Sequence, residues 1–387
     1  MNLFAKCGQW VQNHLPVRGF HFDRPLILLQ SDDWGRAGVQ DGDGLERLRS
    51  AGISLGERPY DFYTLETAAD VTALSQLLKG HRDSAGRPPC IEMNFIVGNL
   101  DCAKSFGTGQ LSFLPLSEGL PEGWSRPGLI QAYLAGIQDG VFNAALHGIS
   151  HFSRAAIERS FSDSDRAQLL KKLWGASTPY IHWRMPWIGY EYWDPEAAED
   201  DRFLVSDSQT ELIGQTVGMF AKIFSSLPRS ACAPGYRANH ATHRAWSLHG
   251  IRIAQNGPSG WMPPHFGQHD LLNLTRTVEF EPATDQAFSI DKCIHQAEVC
   301  FGLGIPAIVS IHSINFHSTV RDFRSRTLDL LDQFFNAIES KHPDLLYLRD
   351  EDLLDLIRKG SYEGGGGPVR LKVLQKKFVK SRLVRAS

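Results

Sequence analysis

The chain has 387 residues, 42% of them hydrophobic, and a formal charge of −3 from 40 Lys and Arg against 43 Asp and Glu. That is apolar material enough for one large barrel or two ordinary domains, and no stretch reaches the ~20 apolar residues that a membrane helix requires. Seven of the cations and no acid fall in residues 370–387, so the rest of the chain is acidic and its charge excludes a nucleic-acid binder.

The N-terminal run MNLFAKCGQWVQNHLPVRGF mixes charged and polar residues among apolar ones and lacks the continuous apolar core of a secretory signal. Six cysteines (Cys7, Cys90, Cys102, Cys232, Cys293, Cys300) are scattered without a CxxC pair, the pattern of reduced core thiols in a cytoplasm. Strand-like apolar runs are expected over 26–31, 91–97, 142–146, 230–233, 251–255, 307–311 and 345–348. Helical spacing lies between them, for example Leu129, Ile130, Tyr133, Leu134 and Ile137, or Leu212, Ile213, Val217, Phe220 and Phe224. Cys293 to Phe301 and Leu331 to Ile338 repeat the pattern. Strand alternating with helix implies a parallel sheet with right-handed crossovers. About seven such units without a composition break make a single distorted (β/α)7 barrel over 1–360 the expected fold. Two Pro/Gly-rich stretches, 105–127 and 256–270, are long enough to be lids or binding loops. DGDG, from Asp41 to Gly44, reads as a turn before a helix, since it lacks the other ligands of a calcium loop. The run from Gly364 to Gly367 reads as a flexible linker to a basic tail over 361–387, either solvated or an amphipathic helix touching anionic lipid or another protein.

In a parallel barrel, chemistry sits where strands end. The first expected strand runs from Leu26 through Leu29 directly into the adjacent carboxylates Asp32 and Asp33, an anion pair that needs a cation or a shared proton. The third ends in AALHGISHFSR, with His147 and His151. ACAPGYRANH follows the fourth, and AIVSIHSINFHS carries His312, Asn315 and His317 after the sixth. A carboxylate with two imidazoles at i, i+4 can supply three ligands to a divalent metal and leave positions for water and substrate. One aspartate would then be neutralised by the metal and the other left free as a base. His265/His269 and His240/His243 are rival pairs, but His147 terminates a buried strand and is held more rigidly than the Pro-Pro-flanked loop around His265.

The ordered set of Asp-Asp after strand one, His-x-x-x-His after strand three, Ala-Pro-Gly-Tyr mid-chain and Ile-His at a late strand end resembles the polysaccharide deacetylase (carbohydrate esterase, NodB-homology) superfamily. The phrases TLETAADVTAL, RPPCIEMNFIVGNLD and HPDLLYLRDEDLLDLI are similar to a cytoplasmic branch found among bacterial polysaccharide-biosynthesis proteins. The resemblance spans roughly residues 24–358. It implies Asp32 as catalytic base, Asp33, His147 and His151 as ligands of zinc or another transition metal, and His312 as general acid. It also implies an acetylated sugar or glycan as substrate. The family's arginine before the mid-chain proline is absent, because Ala233 precedes Pro234, and Arg237 is the expected substitute. The backbone N–H of Tyr236 is the expected oxyanion donor, and Trp34 the expected substrate contact at the mouth. YIHWRMPWIGYEYWD crowds Trp183, Trp187, Tyr190, Tyr192 and Trp193 together; three of these fall at helical core spacing, against the alternative of a sugar platform. Hydrolysis of another C–N bond on the same barrel and a non-catalytic glycan-binding role are the competing readings.

Overall fold

Strand pairing follows from which residues can be buried on both faces. In the computed structural model, which describes residues 16–108 and 110–379, the strand Leu26–Trp34 is buried along its whole length. It pairs in parallel with Ala307–His312 on one side and Ile91–Ile96 on the other. Phe142–Gly148, Ser230–Cys232 and Ile253–Asn256 continue the sheet in parallel.

The two remaining edges are joined by a segment that the apolar pattern did not reveal. Leu272–Thr275 pairs in parallel with Ile253–Asn256, and the same chain then bends so that Val278–Glu279 pairs with Ala307–His312. Arg276 donates its backbone N–H to Asn256 while the next residue, Thr277, donates to Ile308 on the opposite edge. The curled sheet is therefore a distorted seven-stranded β/α barrel, as expected, with a different sixth member. The expected strand at 345–348 shortens to Leu346–Tyr347 and pairs only with Leu26 and Ile27, below the point where Ile91 begins pairing at Leu29. It wedges the foot of the barrel instead of completing its wall. Asn273, Arg276 and Thr277 interrupt the apolar run of the true sixth strand, which is why periodicity passed over it.

Helices Ala68–Gly80, Leu129–Gln138, Ser206–Phe224, Ile290–Leu303 and Arg324–Lys341 cover the outside. Their Val71, Leu74, Tyr133, Ile213, Phe220 and Phe334 pack on the outward residues Ile27, Leu29, Met93 and Phe95. The helix Gly42–Ser50 begins as the DGDG turn implied, with the Asp41 side chain accepting from the N–H of Gly44. No helix follows the fifth strand. Residues 257–271 return down the outside, where the Pro264 carbonyl accepts the Phe20 N–H at 2.8 Å, so this stretch is a connection to the foot of the sixth strand. The stretch 105–127 is partly folded: Phe113–Pro115 pairs with Gly98–Leu100, and Leu116 and Trp124 are buried.

Period-2 alternation sorts the barrel interior into layers. Leu26, Leu28, Ile253, Leu272, Leu274 and Ile308 form an apolar floor with Leu346 and Leu353. Above it lie the buried polar residues Gln30, Glu92, Asn94, Ser230, Gln255 and Ser310. Asp32, His147 and His312 occupy the rim.

The glycine run is not a flexible linker. Ser361–Gly364 and Gly367–Arg370 form a hairpin with Tyr362 buried against the foot, and Val373–Val379 pairs antiparallel with Pro16–Phe22. The basic end is thus a strand as far as Val379, not a helix, and its continuation lies outside the described residues. The five described cysteines are free and buried. Among the described residues no helix is long and apolar enough to cross a membrane.

Candidate functional site

Local irregularities aim the functional groups. His312 is the register partner of Asp32 at the ends of neighbouring strands. The pairing of the first and second strands shifts between Ser31 and Trp34, and Asp33 takes a left-handed backbone (φ 74°). The pairing of the second and third strands shifts between Phe95 and Ile96, opposite Leu146 and Gly148, so His147 stands in the irregularity. Such bulges re-aim side chains at barrel rims.

Asp33 Oδ1 lies 3.5 Å from His147 Nε2 and 3.3 Å from His151 Nε2. The three ligand atoms fall within 4.8 Å of one another, and all three residues are buried. Asp33 Oδ1 and His147 Nε2 have no hydrogen-bond partner. His147 Nδ1 sits 2.9 Å from the Cys232 carbonyl, which can only accept, so Nδ1 carries a proton and Nε2 is the ring atom turned toward Asp33. His151 Nδ1 is held by the Tyr180 hydroxyl at 3.0 Å, and burial keeps this imidazole neutral despite the opposing pull of Asp33. Burial raises the Asp33 carboxyl, but the Arg36 guanidinium beside it outweighs that and holds the group well below the usual carboxylate range. The Arg36 guanidinium lies 3.1 Å from Asp33 Oδ2, 3.8 Å above the Tyr63 ring, and contacts Tyr180. Glu191 fixes the turn between the two histidines by accepting the backbone N–H of Ile149 at 2.9 Å and of Ser150 at 3.0 Å. Gly148 permits that approach, since a Cβ there would collide with the Glu191 carboxylate. A deprotonated carboxylate, an imidazole whose Nε2 has no partner and a second, neutral imidazole are a donor set that a divalent transition metal takes, and the orphaned atoms fit one.

Asp32 is saturated instead. Arg276 grips both its oxygens, Nη1 to Oδ2 at 2.7 Å and Nη2 to Oδ1 at 2.6 Å, and Asn94 Nδ2 donates to Oδ1 at 2.7 Å. Burial pushes this carboxyl up, but Arg276, His147 and His312 prevail and keep it ionised. A second triad, Asp32, His147 and Cys232, also has metal-ligand spacing. There, however, Arg276 occupies both carboxylate oxygens and burial pushes the Cys232 thiol up, which disfavours the thiolate ligand. His312 Nε2 approaches Asp32 Oδ2 at 3.8 Å, while its Nδ1 bonds Glu281 at 2.6 Å. Burial disfavours the charged ring, yet Glu281, Asp32 and Asp33 overcome it and raise its pKa to about 9. Asn315 steadies Glu281 through Oε2 at 2.7 Å. His317 is fully buried beside Glu66, away from these groups.

The structure thus brings together Asp32, Asp33, His147, His151 and His312. Three expectations change. Trp34 is fully buried, stacked on Phe316 at 5.7 Å with its Nε1–H donated to Ser31, so it belongs to the core behind the first strand and does not reach a substrate. The N–H of Tyr236 is spent on the Ala233 carbonyl at 2.8 Å within a tight turn; its phenol instead accepts from Arg276 at 2.9 Å. Arg237 does not replace the missing arginine. It is exposed and lies over the Trp193 ring at 4.6 Å, whereas Arg276 from the bend of the sixth strand holds Asp32.

Of the rival histidines, His240 and His269 approach each other at 3.2 Å on the surface, far in role from any buried acid. The segment around Trp183 is a series of turns, so its helical spacing carried no meaning. Trp183 is 46% exposed and packs against Tyr60 at 4.7 Å, while Tyr192 is core. Asn94, Arg276 and Glu281 went unnoticed in the sequence. The available signal for Asn94 was the alternation of Glu92 and Asn94 with apolar residues in IEMNFI, which marks one face of that strand as polar; for Arg276 and Glu281 no local pattern exists.

The chain matches no protein-family model and no curated protein. Among solved structures it is similar to a putative polysaccharide deacetylase from Mycobacterium smegmatis, at 11% identity and TM-score 0.43, covering 87% of this chain and 91% of that one. It is also similar to a family 4 carbohydrate esterase from Streptomyces lividans in complex with acetate, at 12% identity and TM-score 0.35, covering 84% and 92%. A 4-alpha-glucanotransferase from Thermococcus litoralis aligns at 11% identity and TM-score 0.45, over 86% of this chain and 40% of that chain.

Proposed function

We propose that this protein is a metal-dependent deacetylase of the polysaccharide deacetylase type, removing an N- or O-acetyl group from a sugar, glycan or sugar-containing intermediate in the cytoplasm. The observation that carries the reading is the pair of buried, partnerless atoms Asp33 Oδ1 and His147 Nε2 facing His151 Nε2. Left unmet, such groups cost ~1–3 kcal/mol each, so they call for a ligand.

Asp33, His147 and His151 would hold the ion, with zinc favoured by the imidazole-rich set. When bound, a divalent ion supplies Lewis acidity toward a water and toward the acyl oxygen. Asp32, fixed by Arg276 and Asn94 and ionised in the resting site, would take a proton from the attacking water as general base. His312, kept protonated by Glu281, stands 3.8 Å from Asp32 and delivers a proton to the departing sugar nitrogen or oxygen. Arg36, paired with Asp33 Oδ2, holds that carboxylate so that Oδ1 is left toward the two imidazoles. Trp183 on one side of the mouth, and Tyr190 and Trp193 beneath Arg237 on another, offer ring faces to a sugar.

A non-catalytic glycan-binding role has one observation in its favour, the Tyr236 N–H already consumed inside its turn. The missing arginine no longer supports it, because Arg276 fills that place. Elemental analysis together with acetate release from N- and O-acetylated oligosaccharides tests the reading. A deacetylase holds stoichiometric metal and releases acetate; sugar affinity without turnover at any pH means a binder, and turnover of a cyclic amide without acetate release means a different C–N hydrolase.

A further inference from the structure

Beneath the site a closed circuit of buried polar side chains descends the barrel and returns. Asp350, the first residue of the helix Asp350–Lys359, enters from the foot and is fully buried. Its Oδ1 accepts from Gln30 Nε2 at 2.9 Å, and its Oδ2 from Gln255 Nε2 at 2.9 Å and Ser230 Oγ at 2.5 Å. Each glutamine thereby commits its amino group downward and turns its carbonyl toward the rim. Gln30 Oε1 accepts Arg276 Nε at 3.3 Å, and Gln255 Oε1 accepts Arg276 Nη2 at 3.2 Å and Asn94 Nδ2 at 2.6 Å. Arg276 and Asn94 are the two groups that fix Asp32.

A primary amide presents a donor at one end and an acceptor at the other, and a carboxylate can only accept. The carboxylate at the foot therefore decides which end each glutamine shows to the guanidinium. We infer that Asp350 is a positioning residue for the reaction: by setting the amide polarity of Gln30 and Gln255 it holds Arg276 in the orientation that grips both oxygens of Asp32. The inference rests on Asp32 being the base. A floor of leucines would stabilise the barrel at least as well as this circuit, because buried polar groups seldom add net stability over well-packed apolar ones. What the circuit adds is a single permitted arrangement of hydrogen-bond directions.

Asp350→Asn tests it. At the Oδ1 position the new amino group faces Gln30 Nε2, and at the Oδ2 position it faces Gln255 Nε2 with only the Ser230 hydroxyl able to accept, so one glutamine loses its acceptor at the foot and is released to turn its own amino group on Arg276 or its neighbours. With a chromogenic acetate ester as probe, kcat per folded molecule falls at least ten-fold while KM changes less than two-fold and metal content stays level. Adding Gln30→Glu to Asp350→Asn restores acceptors at both ends and recovers most of kcat. Solvent exchange of the Arg276 Nε–H, followed in 15N-arginine-labelled protein and assigned with Arg276→Lys, accelerates at least ten-fold in Asp350→Asn and slows again in the double variant. Unchanged exchange and kcat in Asp350→Asn, activity lost only in proportion to the unfolded fraction measured in denaturant, or a double variant that recovers neither quantity overturns the inference. A wild-type protein inert toward the ester sinks the reading of Asp32 as base, and the exchange arm then decides by itself whether Asp350 orients Arg276.

Discussion

The two aspartates at the end of the first strand are chain neighbours in opposite circumstances. Asp32 has three nitrogen donors on its two oxygens, with the Cys232 thiol beside them, all from side chains that are themselves buried. Asp33 has an arginine on one oxygen and nothing but two imidazole nitrogens near the other. A saturated carboxylate is built to stay where it is, whereas a buried unsaturated one is built for a ligand that arrives. The difference teaches that residue type did not assign the roles; the partners behind each side chain did. Each anion also has its own arginine, so the pair is tolerable before any metal binds.

The sharpest way to break this contrast is to remove the unsaturated half. Asp33→Ala, His147→Ala and His151→Ala each drop bound divalent metal from stoichiometric to background by elemental analysis; full metal content in all three would make the assignment wrong. Asp32→Asn leaves metal in place and lowers kcat by ~10²–10⁴-fold. It also strands the buried Arg276 charge, lowering unfolding stability by ~3–5 kcal/mol in denaturant titration.

The saturated side can be sharpened through His312. With a folded-state pKa of about 9 against an ordinary value of ~6.5, its ion pair contributes stability that is fully present below pH ~6.5 and lost as pH rises through about 9. The rate should follow the protonated acid and decline on the same alkaline limb. Glu281→Gln moves that limb toward neutrality in a kcat/KM–pH profile, and an unmoved limb would exclude His312 as the acid. Glu191→Gln loosens the turn between the two histidines and weakens metal affinity by ~10-fold, read by competition with a chromogenic chelator. The smallest effect belongs to the mouth: Trp183→Ala raises KM for an oligosaccharide while unfolding stability stays within ~0.5 kcal/mol, since the side chain is nearly half exposed.

Most of the strands, and four of the five residues that converge at the rim, were legible because they sit at or next to strand ends, where an apolar run meets a charged or imidazole side chain; His151 lies three residues past its strand. Arg276 and Glu281 were not, since each acts on a residue of another strand more than thirty positions away and sits in irregular backbone, at the bend of the sixth strand and just past its end. Adjacency to the acidic pair suggests Trp34 as a site residue, and its motif suggests Tyr236 as a backbone donor. The left-handed backbone at Asp33 and the register shift between Ser31 and Trp34 break the alternation and turn Trp34 into the core, while Tyr236 meets the site through its phenol.

Local periodicity dictates which faces are buried, so the chain's own pattern carries the alternation of strand and helix, the parallel sheet, and the placing of Asp32, Asp33, His147 and His312 at or beside strand ends. Only the tertiary structure decided how the barrel closes, which arginine answers which aspartate, and that the basic end folds back as a strand. Those outcomes depend on hydrogen bonds and ion pairs between residues distant in the chain, and no local pattern encodes a partner that folding alone brings near.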